Sequence, residues 1–165
     1  MDKTMEKKNI TSDDVRALQE LLDQTAIRDV IGQYFYALDR RDFAALTACF
    51  TSDAKAEYFG GKTVYAGREA ITNILRIIKQ FKFTSHLISN TMIKVDGDRA
   101  KADTYAVAFL VVDEDGGNGQ ILVRGLQYLD DLVHGREGWR ISHRVHIPTW
   151  QYEAILVPPT LPHTK

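Results

Sequence analysis

The stretch QYFYALDRRDFAALTACFTSDA, residues 33–54, decides the fold. Its first half closes an amphipathic helix. Leu18, Leu21, Leu22, Ile27, Val30, Ile31, Tyr34, Phe35 and Leu38 recur at intervals of three and four, with one wider gap, and form a single apolar stripe. Thr11 and Ser12 offer N-cap oxygens, and Asp13 and Asp14 place negative charge on the first turn, so the helix is expected from about residue 13 to about residue 42. Asp42 can then cap a second, short helix in DFAALTACF, where Phe43, Leu46 and Phe50 share a face. Asp39 is the anomaly. Its spacing puts it in an i, i+4 row with Ile31 and Phe35, on the apolar side. A lone carboxylate buried there is costly, or becomes protonated, unless something pairs with it. Two readings stand: an inward acid that needs a partner, or an exposed helix-end residue that shares the capping of the next helix with Asp42.

Outward from this stretch, TSDAKAEYFGGKTVYAG reads as two short strands around a tight Gly60-Gly61 turn. REAITNILRIIKQF returns to helical spacing through Ile71, Ile74, Leu75 and Ile78. Beyond Phe83 the character is β, with runs at 84–95, 99–113, 120–133 and 138–152. VDGDR, DEDGGNG and HGREG separate them, all turn-forming, so antiparallel hairpins are the economical connection. Helices gathered before an antiparallel sheet indicate an α+β fold. The expectation is a cone-like α+β barrel: a long N-terminal helix and two further helices packed on a strongly curved antiparallel or mixed sheet, with a pocket between helix and sheet. Residues 1–12 are expected to be a flexible start, 13–152 one domain, and 153–165, with VPPTLPHTK, a Pro-rich arm.

Composition excludes several classes. The 165 residues, 44% hydrophobic and 26% charged, suit one ordinary globular domain, and the formal net charge of -1 gives no electrostatic reason to expect nucleic acid or an anionic membrane. A single cysteine, Cys49, excludes an internal disulfide and any multi-cysteine metal site. Its flanks, LTACF, make it a buried small hydrophobe. The opening MDKTMEKKNITSDD has no apolar run, and no later segment reaches the length of a membrane span, so a cytoplasmic protein is expected.

His86, in FKFTSHLISNTMIKV, opens the first long strand. Regular alternation puts Thr84, His86, Ile88, Asn90 and Met92 on one face, so Ile88 and Asn90 are expected beside His86 in the pocket. A lone strand histidine is more often structural than catalytic. Opposite Asp39 its prospects change, because a carboxylate fixes the imidazole tautomer and stabilises imidazolium, making a general base. Tyr34 shares the inward stripe and either assists a substrate oxygen or is core. In GWRISHRVHIPTW, alternation sets Trp139, Ile141, His143 and Val145 against Arg140, Ser142, Arg144 and His146. Arg144 is either an anchor for an anionic or carbonyl oxygen or a surface ion-pair partner. Tyr58, Tyr105, Phe109, Tyr128 and Trp150 are candidate pocket walls. No nucleophile elbow, phosphate-binding Gly loop or H-E-x-x-H motif occurs, so neither a cofactor nor a metal is expected.

On QYFYALDRRDFAALTACFTSDA, GREAITNIL, FTSHLISN and GWRISHRVH, from about Leu18 to Tyr152, the chain resembles the SnoaL-like branch of the nuclear transport factor 2-like superfamily. Within it the chain is similar to scytalone dehydratase, bile-acid 7α-dehydratase and hexachlorocyclohexane dehydrochlorinase, which eliminate with a His–Asp dyad. The resemblance implies Asp39 as dyad acid, His86 as dyad base, Tyr34 as helper and Arg144 as a further catalytic group. It implies a lyase, a dehydratase or dehydrohalogenase, acting on a hydrophobic cyclic molecule such as a steroid or aromatic polyketide. The alternatives are an isomerase or polyketide cyclase with the same base, or a non-catalytic binding module. A homo-oligomer is expected, a trimer ahead of a dimer.

Overall fold

In the computed structural model, residues 10–61, 63–112 and 119–156 are described. Thr11 caps the first helix through a capping box: its side chain accepts from Asp14 N, and the Asp14 carboxylate accepts from Thr11 N. Helix α1 then runs Ser12–Arg40 and ends at Arg41, which takes the left-handed conformation (φ 60°). Asp42 accepts from Ala45 N and caps α2, Phe43–Ala48. Strands β1 (Phe50–Tyr58) and β2 (Thr63–Ala66) follow, turning through Gly60 and Gly61 at φ of 84° and 79°. Helix α3 (Arg68–Leu75) continues as a tighter turn, Arg76–Gln80. The remainder is four long strands: β3 (Phe83–Asp96), β4 (Arg99–Val112), β5 (Gln120–Gly135) and β6 (Gly138–Ile155).

The expected α+β architecture is the one observed. Among the described residues six strands form one sheet in the order β2-β1-β6-β5-β4-β3, with β1 parallel to β6 and every other pair antiparallel. The core lies between its inner face and the helices. There β4 presents small side chains, Ala102, Thr104, Ala106 and Ala108, while α1 packs chiefly on β3 and β6 to either side. Strand β6 runs three residues past the expected domain edge at 152, and the Pro-rich arm beyond 156 lies outside the described residues, as do residues 1–9. Among the described residues, no helix is long and apolar enough to cross a membrane.

Three irregularities correct the regular alternation. In β3 the pairing steps from Ile88↔Ala106 to Thr91↔Thr104, so one extra residue turns the strand over. Thr91, Ile93 and Val95 thereby take the inward positions, and Asn90 and Met92 turn to solvent. In β6, Leu132↔Ile141 is followed by Asp131↔His143, leaving Ser142 unpaired as a bulge. Trp139 and Ile141 therefore share the inner face with Arg144 and His146 rather than with His143 and Val145. Thr149 is a second bulge in the same strand, between Pro148 and Trp150. The apolar stripe of α1 is also buried only from Ile27 onward; Leu18, Leu21 and Leu22 are exposed and precede Asp23, where the helix is tied to β6 by Trp139 Nε1 donating to Asp23 Oδ1 at 3.0 Å.

Candidate active site

Asp39 faces inward and meets His86. The left-handed turn at Arg41 stops α1 two residues later, and the Arg41 guanidinium donates to Phe81 O at 2.7 Å, tying the helix end to the start of β3. Asp39 is thereby set over Thr84 and His86, the two inward residues at the start of that strand. Thr84 Oγ1 donates to Asp39 Oδ1 at 2.9 Å, and His86 N donates to Oδ2 at 2.8 Å. His86 Nδ1 lies 2.6 Å from Oδ1. The His86 side chain is only 4% exposed and that of Asp39 21%, so the pair is largely shielded from water. Burial acts to raise the Asp39 pKa, but the hydrogen bonds and charge of His86 and the Thr84 hydroxyl outweigh it and hold the carboxyl below its ordinary value. An ionised carboxylate accepts only, so Nδ1 carries a proton, and it is Nε2 that holds the lone pair in the neutral form of the ring. Ala108, directly across from His86 on β4, leaves room for the ring, and Phe35 packs beside it at 5.5 Å.

His86 lines a cavity of about 100 Å³ between α1, α3 and the sheet. Tyr34, Tyr58, Tyr128, Arg124 and His146 also line it, and the exposed Phe59 and Ile77 stand at its lip. The Tyr34 and Tyr58 hydroxyls are 3.2 Å apart. Burial raises the pKa of Tyr34, and those of Tyr58 and Tyr128 well above the ordinary value, so all three phenols keep their protons at neutral pH. The bond between Tyr34 and Tyr58 uses one of their two O–H groups, and the other remains as a donor.

Of the residues singled out by sequence, the cavity gathers His86, Tyr34, Tyr58 and Tyr128, with Asp39 behind His86. It does not gather the rest. Ile88 is on the inner side but beyond the helix, in a separate surface groove with Arg28 and Ile31, and Asn90 has turned outward past the β3 irregularity. Tyr105 and Phe109 occupy odd positions of β4, whose even positions are the buried ones, so both point away from the cavity. Trp150, 50% exposed, follows the Thr149 bulge and lies over Gly125 on the outer face, where a Cβ would overlap its indole. Arg144 is the largest correction. It is fully buried, and its Nε and Nη2 donate to the two Asp130 oxygens at 2.7 Å each. Its guanidinium stacks 3.9 Å from the Tyr34 ring centroid and 4.7 Å from that of Tyr128. Arg144 therefore packs behind these tyrosines, is not among the residues that line the cavity, and keeps its Nη1 buried without a hydrogen-bond partner.

Sequence reading missed His146. It is 8% exposed, and its Nδ1 accepts from Phe59 N at 3.3 Å. Burial, followed by the charges of Arg144, Arg124 and His86, lowers its pKa to about 4. Cys49 is buried as expected, and burial raises its thiol to about 11, which makes it inert. His143 lies outside the core between Glu57 (3.0 Å) and Asp131 (3.6 Å). Among the described residues no three His, Cys, Asp or Glu side chains cluster as metal ligands would.

The SnoaL-like domain profile matches residues 19–145. The chain belongs to the SnoaL-like family. Its architecture is the nuclear transport factor 2-like fold. An uncharacterized protein of Mycobacterium tuberculosis is 30% identical to this SnoaL-like chain over 136 residues, covering 82% of it and 91% of the relative. Among solved structures, a candidate scytalone dehydratase from Novosphingobium aromaticivorans superimposes with a TM-score of 0.69 at 25% identity, over 86% of this chain and 97% of that one. A hexachlorocyclohexane dehydrochlorinase from Novosphingobium barchaimii gives a TM-score of 0.73 at 18% identity, over 87% and 99% of the two chains, a likeness of fold.

Proposed function

We propose that this SnoaL-like protein is a lyase in which the His86–Asp39 pair removes a proton from carbon and a leaving group departs from the neighbouring position. The observation that carries the reading is the 2.6 Å contact between Asp39 Oδ1 and His86 Nδ1, at the wall of a cavity that His86 itself lines. The likeness to a candidate dehydratase supports the same direction. Asp39 holds the proton on Nδ1 and stabilises the imidazolium that forms when Nε2 takes the substrate proton. The free O–H of the Tyr34–Tyr58 pair is placed to hydrogen-bond an oxygen as charge builds on it. As a weak acid deep in the core it donates without ionising.

The cavity narrows the substrate. An engineered cavity of about 150 Å³ holds a benzene, so about 100 Å³ encloses one ring or less. A polycyclic molecule would seat one ring beside His86 and carry the remainder past Phe59, Ile77 and Arg124 to solvent. The same base serves isomerisation or cyclisation, and the product mass decides between them. The test is turnover of single-ring hydroxy- or halo-ketones followed by mass spectrometry, with elimination read as loss of water or hydrogen halide. His86→Ala and Asp39→Asn are expected to reduce the rate by roughly 100-fold or more; unchanged turnover in either would refute the mechanism. A single buried thiol fits a cytoplasmic setting.

A further inference from the structure

Resting on the lyase reading above, we propose that His146 is a second catalytic residue: as a neutral imidazole it donates its Nε2–H to the carbonyl oxygen of the substrate whose proton His86 removes. The geometry sets its tautomer. Phe59 N–H points at His146 Nδ1, which must accept, so the one ring proton of the neutral form sits on Nε2. His146 lines the same cavity as His86, from β6 while His86 comes from β3, at the two sides of the inner face. Aromatic rings hold it there. Tyr128 lies 5.1 Å and Tyr58 5.5 Å from its ring, and Phe35, 5.1 Å from Tyr128, packs against His86.

Burial first, and then surrounding charge, keeps the ring neutral. Arg144 and Arg124, which faces the same cavity, are the permanent cations near it; His86 adds to them only once it carries the abstracted proton, and the Asp130 carboxylate is taken up by Arg144. The cavity thus presents a lone pair, His86 Nε2, and separate donors, His146 Nε2–H and a tyrosine O–H. A carbonyl compound with an acidic neighbouring C–H matches that arrangement. The C–H bond breaks and its proton goes to His86 Nε2. The bonding pair forms a C=C bond, and the carbonyl π pair moves onto oxygen, where it receives the His146 hydrogen bond. His146 keeps its proton throughout. When the C=O re-forms, the enolate C=C pair shifts to form the new C=C bond, the leaving group departs with its bonding pair, and the proton held on His86 Nε2 goes to it, so that water or hydrogen halide is lost and His86 is again neutral.

The test separates hydrogen bonding from packing. 4-Fluorophenol presents an oxygen on a single ring, and fluorobenzene presents the ring alone; fluorine NMR measures the affinity of each. The unaltered protein is expected to prefer 4-fluorophenol, His146→Phe to lose about tenfold in affinity for it while fluorobenzene changes less than twofold, and His146→Gln, which retains an N–H donor, to keep most of the preference. Parallel weakening of both probes in His146→Phe, or no oxygen preference in the unaltered protein, overturns the proposal. Long-range nitrogen–proton spectra of the unaltered protein give a second measurement that needs no variant to fold. They should show the His146 proton on Nε2 at pH 7, and a proton on Nδ1 overturns the assignment. Both measurements read binding or tautomer, so their outcome is separate from whether His86 supports turnover.

Discussion

At the scale of single residues, two histidines line the candidate site and are proposed to take opposite roles. His86 is oriented by an ionised carboxylate and presents a lone pair, while His146 is oriented by a backbone N–H and presents a proton. The depressed pKa of His146 makes folding sensitive to acid. Between its ordinary value of 6.5 and about 4 the unfolded chain takes up a proton that the folded chain refuses. Stability from this group is therefore complete above pH 6.5 and falls as the pH drops toward 4, by about 3 kcal/mol. Urea unfolding across that range should show the loss, and His146→Gln should flatten the pH dependence relative to the unaltered protein. Arg144 makes a different prediction. Arg144→Met leaves the Asp130 carboxylate buried without its bidentate partner and should cost about 3–5 kcal/mol of stability by urea unfolding. A group that served only to touch substrate would leave the midpoint nearly unchanged.

At the scale of elements, what positions the site is a helix end and a bulge. The left-handed turn at Arg41 brings Asp39 over β3, and the extra residue at Ser142 turns Arg144 and His146 into the core. Deleting Ser142 would restore strict alternation and send both side chains to the outer face, exposing the mates of Asp130 and Phe59 N–H. That variant is expected not to fold, as read by circular dichroism. The same two features explain how much was legible. The period of 3.6 placed Asp39 on the buried face, and the period of 2 placed Thr84 and His86 together, because both segments are regular. Bulges carry no residue signature here: Ser89-Asn90, Ser142 and Thr149 are ordinary strand neighbours, so regular alternation gives the wrong parity beyond them for Asn90 and for the faces of β6. Periodicity also does not say which face of a strand is inside, so Tyr105 and Phe109 read as pocket walls. Nor does it say where along a helix burial begins, which left Leu18, Leu21 and Leu22 in an expected core.

At the scale of the whole molecule, the outer sheet face is apolar where the expected pocket walls went. Leu87, Val107, Gly125 and Trp150 lie in one cross-strand row, and Phe109, Val123 and Tyr152 in the next. With Leu87, Trp150 and Tyr152 exposed, this face suits association of copies of the chain. The trimer implied by family resemblance predicts a native mass three times the 18.7 kDa of one chain, and Trp150→Glu should shift it to monomer. An unaltered protein that runs as a monomer would refute that assembly. Asp39 and His86 together are proposed to form a proton-abstracting base. Its most direct measurement is deuterium uptake at the carbon next to the carbonyl of single-ring ketones in heavy water, followed by mass spectrometry. The protein is expected to catalyse this exchange and His86→Ala to slow it by roughly 100-fold or more; exchange at equal rates with and without the His86 imidazole would rule this base out.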